Sequence, residues 1–113
     1  MDIRKETVDD CIAFVDERNW RQFHNPKDLA ISLSLEASEL LELFQWNTSD
    51  EAVEKNRERM KEELADVIVY AIDFASVMGF DLNEIITEKM KKNRAKYPVE
   101  KARNSKKKYT ELQ

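Results

Sequence analysis

Glycine, proline and cysteine are scarce in this chain of 113 residues, which contains one Gly, two Pro and one Cys. Because glycine and proline interrupt helices, their scarcity beside abundant Glu, Lys, Leu and Ala predicts an all-α protein. The single cysteine, Cys11, excludes an internal disulfide and a thiolate metal site, and it is compatible with a reducing compartment.

Long hydrophobic runs and a strong net charge are also lacking. The longest apolar stretch, residues 67–80, is interrupted by Asp73 and is too short to span a bilayer. The first ten residues are charged throughout, unlike a signal peptide. The net charge of −4, with charges of both signs, gives no reason to expect nucleic acid or a membrane as a partner. We expect a single cytoplasmic domain over residues 1–113, in which the polar residues 99–113 form an extended tail.

Apolar periodicity and capping residues predict four helices. Asn25, Thr48 and Asp81 have the composition and context of N-caps, and Gly79 is typical of the residue that follows a helix. The predicted helices run from about Asp2 or Thr7 to Arg18, from Pro26 to about Trp46, from Thr48 to about Met78, and from Asp81 to about Lys96.

The third predicted helix is apolar on all its sides between Leu64 and Met78, with only four polar residues. Such a helix must be covered on every side, which one four-helix subunit of this size can hardly do. The sequence therefore predicts a four-helix bundle assembled as a homo-oligomer.

Two pairs of acids lie within or beside the apolar faces of neighbouring helices. Glu36 and Glu39 are three residues apart in the second helix, and Glu63 and Asp66 are three apart in the third, so each pair projects its carboxylates side by side. Unpaired carboxylates are costly to bury and normally acquire a cation or a proton. Two facing pairs can supply the oxygen ligands that Mg²⁺ prefers, although single pairs of this kind are often only solvated faces.

The metal type follows from the ligands. A di-iron bundle needs Glu-x-x-His ligands, and the only histidine, His24, lies outside both pairs. An all-carboxylate set favours Mg²⁺, or Mn²⁺, over zinc or iron.

Aromatic and basic residues provide candidates for binding a nucleotide. Trp and Phe of the segment Trp20–His24, with Trp46, could stack on a base, or Trp20 and Phe23 could instead fix the loop to the core. Lys89, Asn93 and Lys96 share one face of the fourth helix, where they could meet phosphate oxygens or simply face solvent.

These residues also resemble a family, the MazG-like all-α nucleotide pyrophosphohydrolases, and within it the dCTP pyrophosphatase branch. Glu36-x-x-Glu39 followed by Glu63-x-x-Asp66 is similar to the metal motif of the superfamily. The similarity extends from about Val8 onward, and its more specific blocks are Trp20-Arg-Gln-Phe-His24, Glu39-Leu-Leu-Glu-Leu-Phe-Gln-Trp46, Glu62-Glu-Leu-Ala-Asp66-Val-Ile-Val-Tyr70, Lys89-Met-x-x-Asn93-Arg-x-x-Tyr97-Pro98 and the ending from Ala102 to Leu112.

The resemblance implies a house-cleaning enzyme that hydrolyses (deoxy)nucleoside triphosphates to the monophosphate and pyrophosphate, as a dimer or tetramer. It implies Mg²⁺ held by Glu36, Glu39, Glu63 and Asp66, and we assign the proton-accepting role to Glu39, at the edge of the apolar arc. By position, phosphate oxygens would meet Lys89, Asn93 and Lys96, and the nucleotide pocket would be lined by Trp20, Arg21, Gln22, Phe23, His24, Trp46 and Tyr70.

Two positions depart from the family pattern. Ala37 follows Glu36 where some members have consecutive acids, and Cys11 stands where the dCTP enzymes carry a histidine that contacts the base. dCTP or a modified relative is the expected substrate; a dUTP or phosphoribosyl-ATP hydrolase is the alternative. A non-catalytic helical assembly module is a rival from another class, and it requires basic partners for the four acids.

Overall fold

The structure is a computed structural model that describes residues 3–111, apart from the side chain of Tyr109. Within that range it contains helices and turns but no strand, which confirms the predicted all-α class. Five α-helices replace the predicted four, and two 3₁₀ turns lie at Trp20–Phe23 and Tyr109–Glu111. The helices are α1 (Lys5–Glu17), α2 (Pro26–Glu42), α3 (Ser49–Met78), α4 (Leu82–Lys96) and α5 (Val99–Ala102).

Local capping bonds explain where most of these helices begin and end. The Thr48 hydroxyl accepts a hydrogen bond from the Glu51 amide at 3.2 Å, which caps α3, and it donates to a Glu51 carboxylate oxygen at 3.0 Å. Gly79 follows α3 with φ of 70°, a left-handed conformation that favours glycine. Side-chain caps at Asn25 and Asp81 likewise begin α2 and α4 as predicted.

The second helix ends at Glu42, four residues before the predicted Trp46. The side-chain amide of Asn56 donates a hydrogen bond to the Leu43 carbonyl at 3.1 Å. In a longer α2 this carbonyl would accept its hydrogen bond from the backbone amide four residues later, so Asn56 replaces the helical partner. Asn56 itself has non-helical φ and ψ angles, so α3 is kinked at that residue. The backbone then turns, and Trp46 adopts a positive φ of 65°.

The first three helices pack around a small apolar core. Contacts between α2 and α3 are the most extensive, and α1 also packs against α3. Leu29 is the most completely buried large side chain of this core, at 2 % exposure. The other buried apolar residues are Val15, Leu43, Ala52, Ile72 and Ala75.

The chain divides into two compact units, one ending at Gly79 and the other beginning at Phe80. The second unit contains α4 and α5, and none of the residues in these two helices is buried. Residues 99–113 were predicted to be extended, but α5 and the 3₁₀ turn at Tyr109–Glu111 make two helical turns there. The early start considered for the first helix, at Asp2, lies outside the described residues. No helix within residues 3–111 is long and apolar enough to cross a membrane.

Candidate metal centre and nucleotide site

Three of the four predicted metal-binding acids come together between α2 and α3. Glu36, Glu39 and Glu63 each offer a carboxylate oxygen, and these oxygens all lie within 4.8 Å of one another. The three-residue spacing in α2 places Glu36 and Glu39 side by side on that helix. Glu36 and Glu63 are half-buried, whereas Glu39 is exposed, in agreement with its predicted place at the edge of the apolar arc.

Two oxygen atoms of this cluster are buried without a partner. Oε2 of Glu36 and Oε2 of Glu63 are closed to solvent and accept no hydrogen bond. A buried acceptor left unsatisfied is unfavourable, and two such atoms from facing helices call for a common explanation.

The pKa values of two acids in the cluster are raised, which also favours a bound cation. Burial raises the pKa of Glu36 from 4.5 to about 7, and a hydrogen bond to Glu39 and the neighbouring negative charges act in the same direction. Burial also raises the pKa of Glu63, again with a contribution from Glu39, while the positive charge of Arg59 acts in the opposite direction. Carboxylates that repel one another and resist ionisation are stabilised by a cation.

The chemistry of these donors fits a divalent cation. They are hard oxygen ligands on two neighbouring helices, and at least two of the oxygens lack any other partner. Mg²⁺ and Mn²⁺ both prefer such ligands and tolerate open positions for water and phosphate.

The fourth predicted ligand, Asp66, lies beside the cluster rather than inside it. It is exposed and does not belong to the group of oxygens within 4.8 Å. Its negative charge still contributes to the raised pKa of Glu36 and of Glu63. Its assignment as a metal ligand therefore stays a prediction.

Tyr70 lies one turn beyond Asp66 on α3 and is half-buried. Burial raises the pKa of its hydroxyl, the charges of Glu36, Asp73 and Asp66 add to the effect, and a hydrogen bond with Ser32 opposes it. Tyr70 thus remains a neutral hydroxyl beside the acids.

The Trp20–Phe23 turn is joined to α1 by several contacts. Trp20 packs edge-on against Phe14, with ring centroids 5.6 Å apart, and Arg21 Nε donates to Asp16 Oδ1 at 3.0 Å. Trp20 is thus attached to α1 through Phe14, which is itself 48 % exposed, whereas Phe23 is 64 % exposed. Gln22 donates to the Asn19 carbonyl at 2.9 Å.

The remaining predicted nucleotide-binding residues lie elsewhere in the chain. Trp46 is 92 % exposed in the turn after α2. Lys89, Asn93 and Lys96 lie on α4, where the side-chain amide of Asn93 donates to the Met90 sulfur at 3.8 Å. Contact of these four residues with a nucleotide stays a prediction.

Sequence reasoning gave no role to Asp73, which is 5 % exposed and is the one buried charged residue among those described. It follows Asp66 by seven residues, or about two turns, so that it lies on the same face of α3 as Asp66. A signal was present, because Asp73 is the acid that interrupts the longest apolar stretch.

Comparison with known proteins identifies relatives. A sequence model of the MazG-like family matches residues 31–112. The chain is 42 % identical over 104 residues to human dCTP pyrophosphatase 1 and 41 % identical to the mouse protein, alignments that cover 88 % of this chain and 61 % of each relative. The chain thus spans about three fifths of the length of these relatives.

A solved structure is also similar. The crystal structure of a pyrophosphatase from Archaeoglobus fulgidus superposes with a TM-score of 0.78 at 41 % sequence identity, covering 83 % of this chain and 91 % of the other.

Proposed function

This chain belongs to the MazG-like family, and on that premise we propose that it is a Mg²⁺-dependent nucleoside triphosphate pyrophosphohydrolase. It would hydrolyse a (deoxy)nucleoside triphosphate to the monophosphate and pyrophosphate. The observation that carries the proposal is the cluster of Glu36, Glu39 and Glu63, with its two buried oxygens that have no hydrogen-bond partner.

These three acids, with Asp66 beside them, would hold the cation. A divalent cation at this position supplies charge neutralisation for phosphate oxygens and makes a water molecule more acidic. Mn²⁺ has the same ligand preferences and could replace Mg²⁺ in the assay.

The residues of the chain would perform the remaining steps. Glu39, the exposed member of the cluster, accepts the proton of the attacking water. The water oxygen forms a bond to phosphorus, the bridge between the α- and β-phosphates breaks, and pyrophosphate leaves. Lys89 and Lys96 would stabilise charge on the leaving group, with Asn93 as a further donor to phosphate.

Relatives support a pyrimidine deoxynucleotide as substrate. Those at about 40 % identity are named dCTP pyrophosphatase 1, so dCTP or a base-modified form is the first candidate. The pocket would be formed by Trp20, Arg21, Gln22, Phe23, His24, Trp46 and Tyr70. dUTP and phosphoribosyl-ATP are the alternatives.

A screen of standard and base-modified nucleoside triphosphates tests the proposal. Each is incubated with the protein and either Mg²⁺ or EDTA, and pyrophosphate release is measured. We expect Mg²⁺-dependent release with the highest kcat/KM for a cytosine deoxynucleotide. Release of orthophosphate in place of pyrophosphate, or equal release with EDTA, would contradict it. Hydrolysis in ¹⁸O-labelled water then identifies the phosphorus that is attacked.

The assembly-module alternative gains no support. It requires salt bridges from the four acids to Lys or Arg, whereas the ion pairs of Lys5, Arg18, Arg21, Lys61 and Lys91 are made with other acids. A cytoplasmic location suits an enzyme that acts on the free nucleotide pool.

A homo-oligomer, a dimer or a tetramer, is part of the proposal. Large apolar side chains are exposed on both helices that carry the acids, including Ile31 and Leu35 on α2 and Leu64 and Ile68 on α3. Each pair is spaced by four residues, so it forms a stripe along its helix. Exposed apolar stripes of this kind are typical of surfaces that another chain covers.

A further inference from the structure

Asp73 is a buried carboxylate that the proposed chemistry does not use. It lies on α3 among apolar neighbours and is 5 % exposed. A buried carboxylate is tolerated when a cationic group compensates its charge.

Asp73 shares a small cavity with two residues of the segment before α2. Arg21 and His24 line this cavity together with Asp73 and Ser76, between α1 and α3. Burial raises the pKa of Asp73, and the positive charges of His24 and then Arg21 oppose that rise. The two groups that compensate Asp73 therefore belong to the segment assigned to the nucleotide.

Of these two residues, His24 has no ion pair with another carboxylate among the described residues. Arg21 already donates to Asp16 at 3.0 Å, in an exposed ion pair. His24 is half-buried, and its amide donates to the Arg21 carbonyl at 3.1 Å, which joins it to the end of the Trp20–Phe23 turn. The position of His24 is therefore coupled to that of the turn that contains Trp20.

Asp73 lies on α3 close to the residues proposed to bind the substrate. It lies about 10 Å along the helix axis from Asp66, on the same face. Tyr70 lies between them in the sequence, and the charges of Asp73 and Asp66 both raise the pKa of its hydroxyl. One face of α3 thus carries Asp66, beside the proposed cation site, and two turns later Asp73, in the cavity that Arg21 and His24 also line.

We propose that Asp73 is a positioning residue that, through His24, holds the Trp20–His24 segment where it receives the base end of the nucleotide. Asp73 touches neither the cation nor the phosphates. The inference rests on the proposed function for its ligand, whereas the anchoring of the turn can be measured without any substrate.

The substrate-free measurement uses tryptophan fluorescence. The chain has two tryptophans, so Trp46→Phe leaves Trp20 as the single reporter. In that background we expect Asp73→Asn to increase acrylamide quenching of Trp20, while the melting transition remains cooperative. Asp16→Asn is the matched control, because it removes the other carboxylate that interacts with the segment. Unchanged quenching in Asp73→Asn, or an equal increase in Asp16→Asn, would overturn the proposal.

The second measurement uses hydrolysis by the chain with Trp46 intact. Loss of the electrostatic attraction across the cavity predicts that Asp73→Asn raises KM about tenfold, with kcat little changed. Because Asp73 acts through His24, the double variant with His24→Gln should match His24→Gln alone. Additive effects, or a lowered melting temperature with unchanged KM, would overturn the proposal.

The two measurements separate the possible failures. If no triphosphate is hydrolysed by the wild-type chain, the proposed function fails and the quenching result still decides the anchoring. If Asp73→Asn does not fold, His24→Gln alone should increase the quenching of Trp20, and unchanged quenching overturns the proposal.

Discussion

Replacing Glu36 by Gln keeps the size of the side chain but removes the carboxyl group that holds a proton near neutral pH. In the folded chain the pKa of Glu36 is raised from 4.5 to about 7. The folded state therefore keeps a proton that the unfolded state releases between about pH 4.5 and pH 7. Within this window the free energy of unfolding of the metal-free protein falls as the pH rises.

The magnitude follows from the shift and the environment. A change from 4.5 to about 7 corresponds to about 3 kcal/mol if it applied in full. Because Glu36 is only half-buried and solvent screens the charges around it, we expect about 1 kcal/mol, or about 4 °C in melting temperature. Glu36→Gln should remove this part of the pH dependence.

The assay is thermal unfolding in EDTA at pH 4 and pH 8, which enclose this window, for the wild-type chain, Glu36→Gln and the exposed control Glu42→Gln. We expect the fall in melting temperature between the two pH values to be about 4 °C smaller in Glu36→Gln than in the other two proteins. The same pH dependence in all three proteins would show that the pKa of Glu36 is not raised in the folded protein.

Other substitutions test the acid cluster, the apolar core and the exposed face of α2. Glu63→Gln, measured by pyrophosphate release with Mg²⁺, should reduce kcat/KM at least about a hundredfold while the fold is kept; wild-type turnover would show that Glu63 is not a ligand. Leu29→Ala should lower the free energy of unfolding by about 3 kcal/mol in denaturant titrations, because Leu29 is 2 % exposed at the centre of the core, and a loss below about 1 kcal/mol would contradict that placement. Leu35→Asp, at a side chain that is 60 % exposed, should shift the sedimentation of the protein toward 13.4 kDa without unfolding it; a wild-type protein that is already a single 13.4 kDa species would contradict the oligomer.

The sequence predicts what short-range chemistry determines. Asn25, Thr48 and Asp81 cap their helices as predicted because each bond joins residues three positions apart. Glu36 and Glu39 lie side by side on α2 for a similar reason, since they are three residues apart.

Predictions were wrong where a distant residue determines the backbone. The end of α2 depends on Asn56, which lies 13 residues away from Leu43 and bonds its carbonyl only after α3 has folded back. The turn that follows holds Trp46 at a positive φ, which no local preference of tryptophan predicts. The cavity of Asp73, His24 and Arg21 was not predicted, because it joins α3 to a segment some 50 residues earlier in the chain.

The most direct test of the metal centre is the binding of Mn²⁺ without nucleotide, followed by electron paramagnetic resonance. The six-line signal of free Mn²⁺ should decrease when the wild-type protein is added, and excess Mg²⁺ should restore it. In the double variant Glu36→Gln, Glu63→Gln, which removes the two carboxylates with buried unpartnered oxygens, the signal of free Mn²⁺ should persist. An equal decrease with wild type and double variant, or none with either, would contradict a cation site at this cluster.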